Sequence, residues 1–447
     1  MNKVIVLVDG EHYPAVTRDA IQEIGRAHKV LGAVFLGGTE KIGSESDLSA
    51  LGVPVIHTRD YLAGIRQAIQ QFRPQEVVDL SDEPVLGYKE RFAIANVVLA
   101  HGAAYSGADF RFNPPAQHVT VRKPSISVIG TGKRIGKTAI GGYVARTLAR
   151  EFRLIVVTMG RGGPAEPEVI CGGEFELTPE YLLSVSKQGR HASSDHFEDA
   201  LTSRVTTVGC RRCGGGMSGQ TYTSNVDRGA AISDSIDGDI VVFEGSGSSI
   251  PSVQTDARIL VAGAHQPVDY IASYLGPYRV TTSNLVVLTM CEAQMVEDSQ
   301  VERMVTVISE LNPQAKVVRT IFRPRPLGNI ASKRVAVCLT APKRVASLVS
   351  EYLIRTFGCE VVGLTCNLAN RPLLRDDLAR FAQLRPDTVM TELKAAAVDV
   401  VTAWGLENGF EVVYMDNEPI PVNPQDRLDQ EILALARACI SKHKGVA

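Results

Sequence analysis

Residues 130–138 read Gly-Thr-Gly-Lys-Arg-Ile-Gly-Lys-Thr, between a buried-strand pattern, SISVIG, and a helical one, KTAIGGYVARTLAREF. A phosphate-binding loop requires that setting. Glycines let the backbone turn its N–H groups inward, a lysine adds a mobile positive charge, and a hydroxyl reaches a divalent cation. Gly130, Thr131, Gly132, Arg134, Gly136, Lys137 and Thr138 are therefore the candidate nucleotide-binding residues, with ATP or GTP as the ligand. The spacing departs from the usual one, in which four residues separate the two glycines. Here position 131 is Thr and Gly130 lies one step further back, so the loop is one residue longer or a variant. A glycine-rich turn that happens to contain Gly-Lys-Thr is the plainer alternative.

A second nucleotide-linked feature is DIVVFEGSGS at 239–248, an apolar strand ending in an acid. Glu244 is placed there to organise magnesium (Mg2+) beside a γ-phosphate, with Thr138 as the other metal-side group. The plainer reading is an ordinary strand that stops at a solvated charge. Arg161, in MGRGG after another strand, stands where an open parallel sheet has its ligand crevice and is a candidate catalytic residue together with Lys137 and Lys133.

VGCRRCGGGMSGQ at 208–220 combines paired guanidinium groups with glycines, which makes Arg211 and Arg212 candidate binders of an anionic substrate. The Cys210-x-x-Cys213 spacing would suit zinc only with two further ligands, and no second Cys or His pair accompanies it. Near the N-terminus, KVIVLV ends in DGEHYPAVTRDA, so Asp9 and His12 form a candidate substrate corner at a strand's carboxyl end. Asp79, Asp82 and Glu83 follow another strand and read either as metal partners or as helix-start acids. Lys394, Asp399 and Trp404 read as structural.

The elements that must position these groups alternate short β-rich runs with amphipathic helical patterns, as in parallel α/β proteins. KVIVLV, GAVFLG, VPVIH and EVVDLS alternate with helices in the first segment. The NPP cluster at 113–115 and the QHVTVRKP that follows break the periodicity and mark a boundary near Lys123. The near-continuous apolar runs SISVIG, RLIVVTMG, DIVVFEG, ARILVAG and NLVVLTMCE predict a central sheet covered on both faces. RVAVCLTA, EVVGLTCNL, AVDVVTAWG and FEVVYM repeat the style after FRPRPLGN. The expected organisation is an N-terminal Rossmann-like α/β domain over 1–122, a phosphate-loop nucleotide-binding core over 123–330 and a C-terminal α/β segment over 331–447.

A chain of 447 residues exceeds what one core usually serves. Its 47 basic and 49 acidic side chains leave a formal net charge of -2, which argues against a nucleic-acid or polybasic membrane partner and makes any anion site local. The longest apolar stretches are strand-sized, far short of the ~20 residues of a spanning helix. With eight scattered cysteines and no secretory leader, a cytoplasmic location with reduced thiols is expected. Association as a homo-oligomer, a dimer, is also expected for an α/β enzyme with several edge strands.

The loop spelling G-T-x-x-x-x-G-K-T resembles that of dethiobiotin synthetase, an enzyme class that activates an acid through a phosphate anhydride before closing a ring. This implies a P-loop NTPase-like parallel core. LVDGEHYPAVTRDAI, VIGTGKRIGKTAIGGYVAR and CRRCGGGMSGQTYTSNV together resemble the cyclic 2,3-diphosphoglycerate synthetase family, in the same segment order along most of the chain. That resemblance implies an ATP- and Mg2+-dependent ligase that closes 2,3-bisphosphoglycerate into its cyclic diphosphate with release of ADP and phosphate. Two alternatives stand beside it: a kinase of 2-phosphoglycerate or a similar small acid without ring closure, and a nucleotide-switched partner protein. The second is weakened because LTMCEAQ at 288–294 lacks the Asn-Lys-x-Asp motif of many guanine sites.

Overall fold

Runs of apolar residues that alternate in neither polarity nor size need a helical layer on each face of the sheet, and the two layers are present here. A computed structural model of the chain describes residues 1–42, 48–115 and 119–445. It divides into two units, Met1–Ala116 with Val268–Thr282, and Gln117–Pro267 with Ser283–Ala447. Of the expected boundary stretch, residues 116–118 lie outside the described residues.

The first unit contains β1 (Lys3–Val8), β2 (Lys29–Phe35), β3 (Val55–His57), β4 (Glu76–Asp79), β5 (Ala104–Ser106) and β6 (Arg111–Phe112). Their order is β3-β2-β1-β4-β5-β6, parallel except for the β6 edge. This is the Rossmann-like half expected, with the direction of winding reversing between β1 and β4. The excursion Val268–Thr282 joins this unit through helix Tyr88–Ala100. There buried Asn96 donates to the Tyr274 carbonyl at 2.6 Å and accepts from the Tyr278 N–H at 2.6 Å, while the Phe92 and Tyr274 rings meet edge to face.

The second unit is built on β8 (Ser125–Gly130), β9 (Leu154–Gly160), β10 (Glu168–Cys171), β11 (Thr206–Cys213), β13 (Ile240–Glu244), β15 (Ala257–Gly263), β16 (Leu285–Thr289), β17 (Lys316–Pro326), β18 (Arg334–Cys338), β19 (Glu360–Thr365), β20 (Thr388–Glu392) and β21 (Glu411–Pro421). The short β7 (Val119–Thr120) pairs with β14 (Val253–Gln254), and β12 (Thr223–Ser224) adds to β11. From β11 through β9, β13, β8, β15 and β16 to β17 the pairing is parallel. Period-two alternation on β13 sends Ile240 and Val242 to one core and Val241 and Phe243 to the other. Helices Lys137–Leu148 and Leu428–Lys444 close the first face, and helix Val226–Ser235 packs on the second.

The C-terminal strands extend this same sheet. β17 is long enough to pair antiparallel with β21, and β20, β18 and β19 follow in parallel. AVDVVTAWG, expected in strand style, is instead a π-helical turn over Ala397–Thr402 running into helix Ala403–Glu407. The fourth strand is the polar-apolar TVMTE of β20. A largely buried helical turn and a buried strand are similarly apolar, so periodicity does not separate them in so short a run.

Candidate active site

The loop after β8 turns through Arg134 (φ 60°) and Gly136 (φ 79°) into the helix that Lys137 starts. Gly136 is required on two counts. Its backbone is left-handed, and a Cβ there would fall 2.3 Å from the Phe322 ring. The carboxyl ends of the strands around the loop open on a cavity of about 800 Å3, which Gly132, Lys133, Arg134, Gly136, Lys137 and Thr138 line together with Arg161. Thr131 differs from its loop neighbours: it is buried, its N–H donates to the Val261 carbonyl at 3.0 Å, and its hydroxyl is hydrogen-bonded to Gln266. It ties the loop to β15.

Lys137 Nζ donates to Glu244 Oε2 at 3.2 Å, inside the protein. Burial works against the ammonium, but Glu244, Asp195 and Asp199 outweigh it and hold the Lys137 pKa above the usual lysine range. Burial pushes Glu244 up despite Lys137, and its Oε1 has no hydrogen-bond partner. Helix Asp195–Ser203 adds two more acids that a segment pattern could not single out. Burial, with Glu244 and Glu198 nearby, raises Asp199 well above the carboxylate range, and both its oxygens are without partners. Glu198 is pushed up to about 8 by burial and by Asp195 and Asp416, against the opposing charge of Lys394. Lys394 Nζ lies 3.1 Å from Glu198 Oε1 and lines the cavity, so this residue, read as structural, stands at the site.

The orphaned Glu244 oxygen and the cavity-lining Thr138 fit a divalent cation. Among the described residues no group of three or more His, Cys, Asp or Glu side chains converges to hold a metal. An ion here would take most of its ligands from water and phosphate oxygens, as magnesium does.

The arginine pair is separated by strand geometry. Arg212 Nη2 donates to the Ser246 carbonyl at 2.8 Å, and burial together with the nearby Arg161 charge lowers its pKa. Arg161 reaches the same loop, where a Cβ on Gly247 would fall 2.6 Å from its Nη2. Arg211 points away: it is exposed and its Nε donates to the Pro164 carbonyl at 2.8 Å. Cys210 is buried, with its thiol pushed up to about 12, and Cys213 is exposed.

In the first unit, Asp9 and His12 lie at the carboxyl end of β1. Asp9 is buried and saturated, accepting from the Asp82 N–H at 2.6 Å and the Glu11 N–H at 3.1 Å and pairing with His12 Nδ1 at 2.8 Å. Asp79 accepts from Arg91 and from the Tyr105 hydroxyl, so it is a structural anchor.

Three consecutive family models match the chain: cyclic 2,3-diphosphoglycerate synthetase N-terminal domain over residues 3–113, its P-loop domain over 125–321 and its C-terminal domain over 326–418. The chain is 49% identical over 439 residues to the cyclic 2,3-diphosphoglycerate synthetase of Thermococcus kodakarensis, covering 98% of this chain and 99% of the relative. It is equally 49% identical over 439 residues to that of Rubrobacter xylanophilus, covering 98% and 97%. Among solved structures, LpxK from Aquifex aeolicus in complex with ATP gives a TM-score of 0.43 at 13% identity, covering 78% of this chain and 96% of that one.

Proposed function

The chain belongs to the cyclic 2,3-diphosphoglycerate synthetase family, and from that membership we propose that it uses ATP to close 2,3-bisphosphoglycerate into its cyclic diphosphate, releasing ADP and phosphate. One observation carries the chemistry: a cavity large enough for two phosphorylated molecules holds the loop lysine Lys137 and, with no carboxylate partner among the described residues, Lys133, Arg134 and Arg161. Both ligands are highly anionic, and these cations supply the neutralisation they need.

Backbone N–H groups from Gly132 to Thr138 and the Lys137 ammonium hold the β- and γ-phosphates. Lys137 must turn from Glu244 toward the nucleotide, which leaves the Glu244 carboxylate free to face a cation. Magnesium held by Thr138 and Glu244 would, when bound, neutralise charge on the phosphate oxygens. Lys133 and Arg161 stabilise the transferring phosphoryl group, with Arg212 fixing the Ser246–Gly247 turn beside Arg161.

The γ-phosphoryl group moves to one substrate phosphate, breaking the β–γ bond and forming an anhydride. An oxygen of the neighbouring substrate phosphate then attacks the inner phosphorus and expels the former γ group as free phosphate. That attack is intramolecular, where effective concentrations reach roughly 10⁵ M or more.

Phosphorus NMR of the protein with ATP, magnesium and 2,3-bisphosphoglycerate tests this reading. Equal yields of cyclic diphosphate, ADP and phosphate are expected. In a parallel incubation with 2-phosphoglycerate in place of the bisphosphate, ADP and a new phosphomonoester without free phosphate would mean a kinase instead.

A further inference from the structure

The C-terminal strands bring a second set of carboxyl ends to the same cavity. β18 pairs in parallel with β19 on one side and β20 on the other, so the chain reverses its direction of winding at β18. In open α/β sheets the crevice beyond such a reversal is where ligands bind. Thr340 follows β18, Asn367 follows β19 and Lys394 follows β20, and all three line the cavity that the phosphate loop lines.

This crevice is built, and it is positive. Glu392 accepts from the Thr340 N–H at 2.7 Å and from the Thr340 hydroxyl, and its other oxygen accepts from Asn417 Nδ2 at 2.7 Å. The acid is thereby occupied in anchoring the turn that carries Lys343 and Arg344. Those two cations are exposed, line the cavity and have no carboxylate partner among the described residues. Lys394 has Glu198 as its partner, and the next residue, Ala395, is held at φ 50°, a conformation a side-chain-bearing residue seldom adopts without a tertiary reason.

Resting on the reading above, we propose that this crevice is the binding wall for the phosphorylated acid, with Lys394 contacting one phosphate of 2,3-bisphosphoglycerate and Lys343 and Arg344 holding its remaining anionic groups. The nucleotide does not need these cations. Its phosphates are served by the loop, and its far end is a neutral base suited to the apolar wall of Met290, Met295 and Phe322. The acid carries two phosphates and a carboxylate on three carbons, which calls for several cations converging on a small volume. The substrate phosphate takes Lys394 from Glu198, and because Lys394 and Lys137 line one cavity the acid and the γ-phosphate share it.

Titration calorimetry on the full chain tests this, with 2,3-bisphosphoglycerate and a non-hydrolysable ATP analogue with magnesium as separate ligands. For Lys394→Gln, and for the double variant Lys343→Gln with Arg344→Gln, the acid should bind about ten- to a hundredfold more weakly, as befits a lost charged hydrogen bond. Affinity for the ATP analogue should stay within about twofold by the same reasoning. Lys394→Arg should retain acid binding, and the exposed double variant keeps the test open if Lys394→Gln does not fold. Unchanged acid affinity, or weakened nucleotide affinity instead, overturns the assignment of this wall. Wild-type protein that binds the nucleotide and not the acid overturns the substrate reading itself, and this inference with it.

Discussion

The Nζ of Lys137 lies 3.2 Å from Oε2 of Glu244, with both side chains out of solvent and Glu244 Oε1 left without a partner. The lysine that should meet a nucleotide is thus neutralised by the acid at the end of the adjacent strand. Loop and acid sit on β8 and β13, which pair directly, Glu244 opposite Val128. The distance between charge and countercharge is therefore set by sheet register, and exchange of partners requires only side-chain motion.

Lys137→Ala should abolish turnover, by roughly three orders of magnitude or more, since it removes a charge-stabilising group from a water-poor site. It also strips Glu244 of its cation, and breaking a buried pair from one side typically costs about 3–5 kcal/mol. Burial raises the Glu244 pKa, and more so once the Lys137 charge is gone, so protonation relieves that cost in acid. Thermal melts should show a smaller loss in the variant at pH 6 than at pH 9. Full activity in Lys137→Ala would reject the loop assignment.

The phosphate loop was legible because all its chemistry is local: glycine, lysine and threonine at fixed offsets between a strand and a helix. Glu244 was legible for the same reason, ending an apolar strand. Lys394 and Glu198 were not, because 196 positions separate them and either alone looks like a solvated charge. β20 escaped notice since TVMTE mixes polar with apolar residues, although all five are buried. The Arg-Arg pair reads as one anion-binding unit in the sequence, but adjacent residues on a strand face opposite ways, and Arg212 alone turns toward the Ser246 loop.

Glu198 gives the site a pH signature. Its pKa is raised from the ordinary carboxylate value to about 8, so between those limits the folded state holds a proton that the unfolded state has lost. Stability contributed by that proton is complete below the ordinary carboxylate pKa and is lost as pH rises toward 8. Asp199 and Glu244 are shifted the same way and act in the same sense. Glu198→Gln, which mimics the protonated acid, should match wild type near pH 5 and decline less steeply up to pH 8. Parallel melting curves for the two proteins across that range would contradict this.

Arg161 and Arg211 should behave differently. Arg161 lines the cavity beside Gly247, so Arg161→Ala should lower kcat/KM by roughly a hundredfold, in line with loss of a transition-state contact. Arg211 is exposed and bonded to a carbonyl outside the cavity, so Arg211→Ala should stay within about threefold of wild type, as surface changes generally do. Steady-state kinetics on both variants decide it. A large loss in Arg211→Ala would show that the 208–220 segment rearranges when substrate binds.

Gly141 tests how closely the loop helix and the acid are fitted. In an exposed helix interior, glycine to alanine stabilises by roughly 0.5–1 kcal/mol. Gly141 is buried one turn into the helix that Lys137 starts, and a Cβ there would fall 1.7 Å from Glu244 Oε1. No rotamer of the added methyl relieves that overlap, so the carboxylate must move, and with it the partner of Lys137 and the proposed metal-side oxygen. Gly141→Ala should therefore lose stability where propensity alone would raise it, and its kcat should fall at least tenfold, since small displacements of aligned groups cost rate steeply. A melt and an activity measurement on this one variant suffice. A protein both more stable and fully active would mean that Glu244 has room to move without consequence.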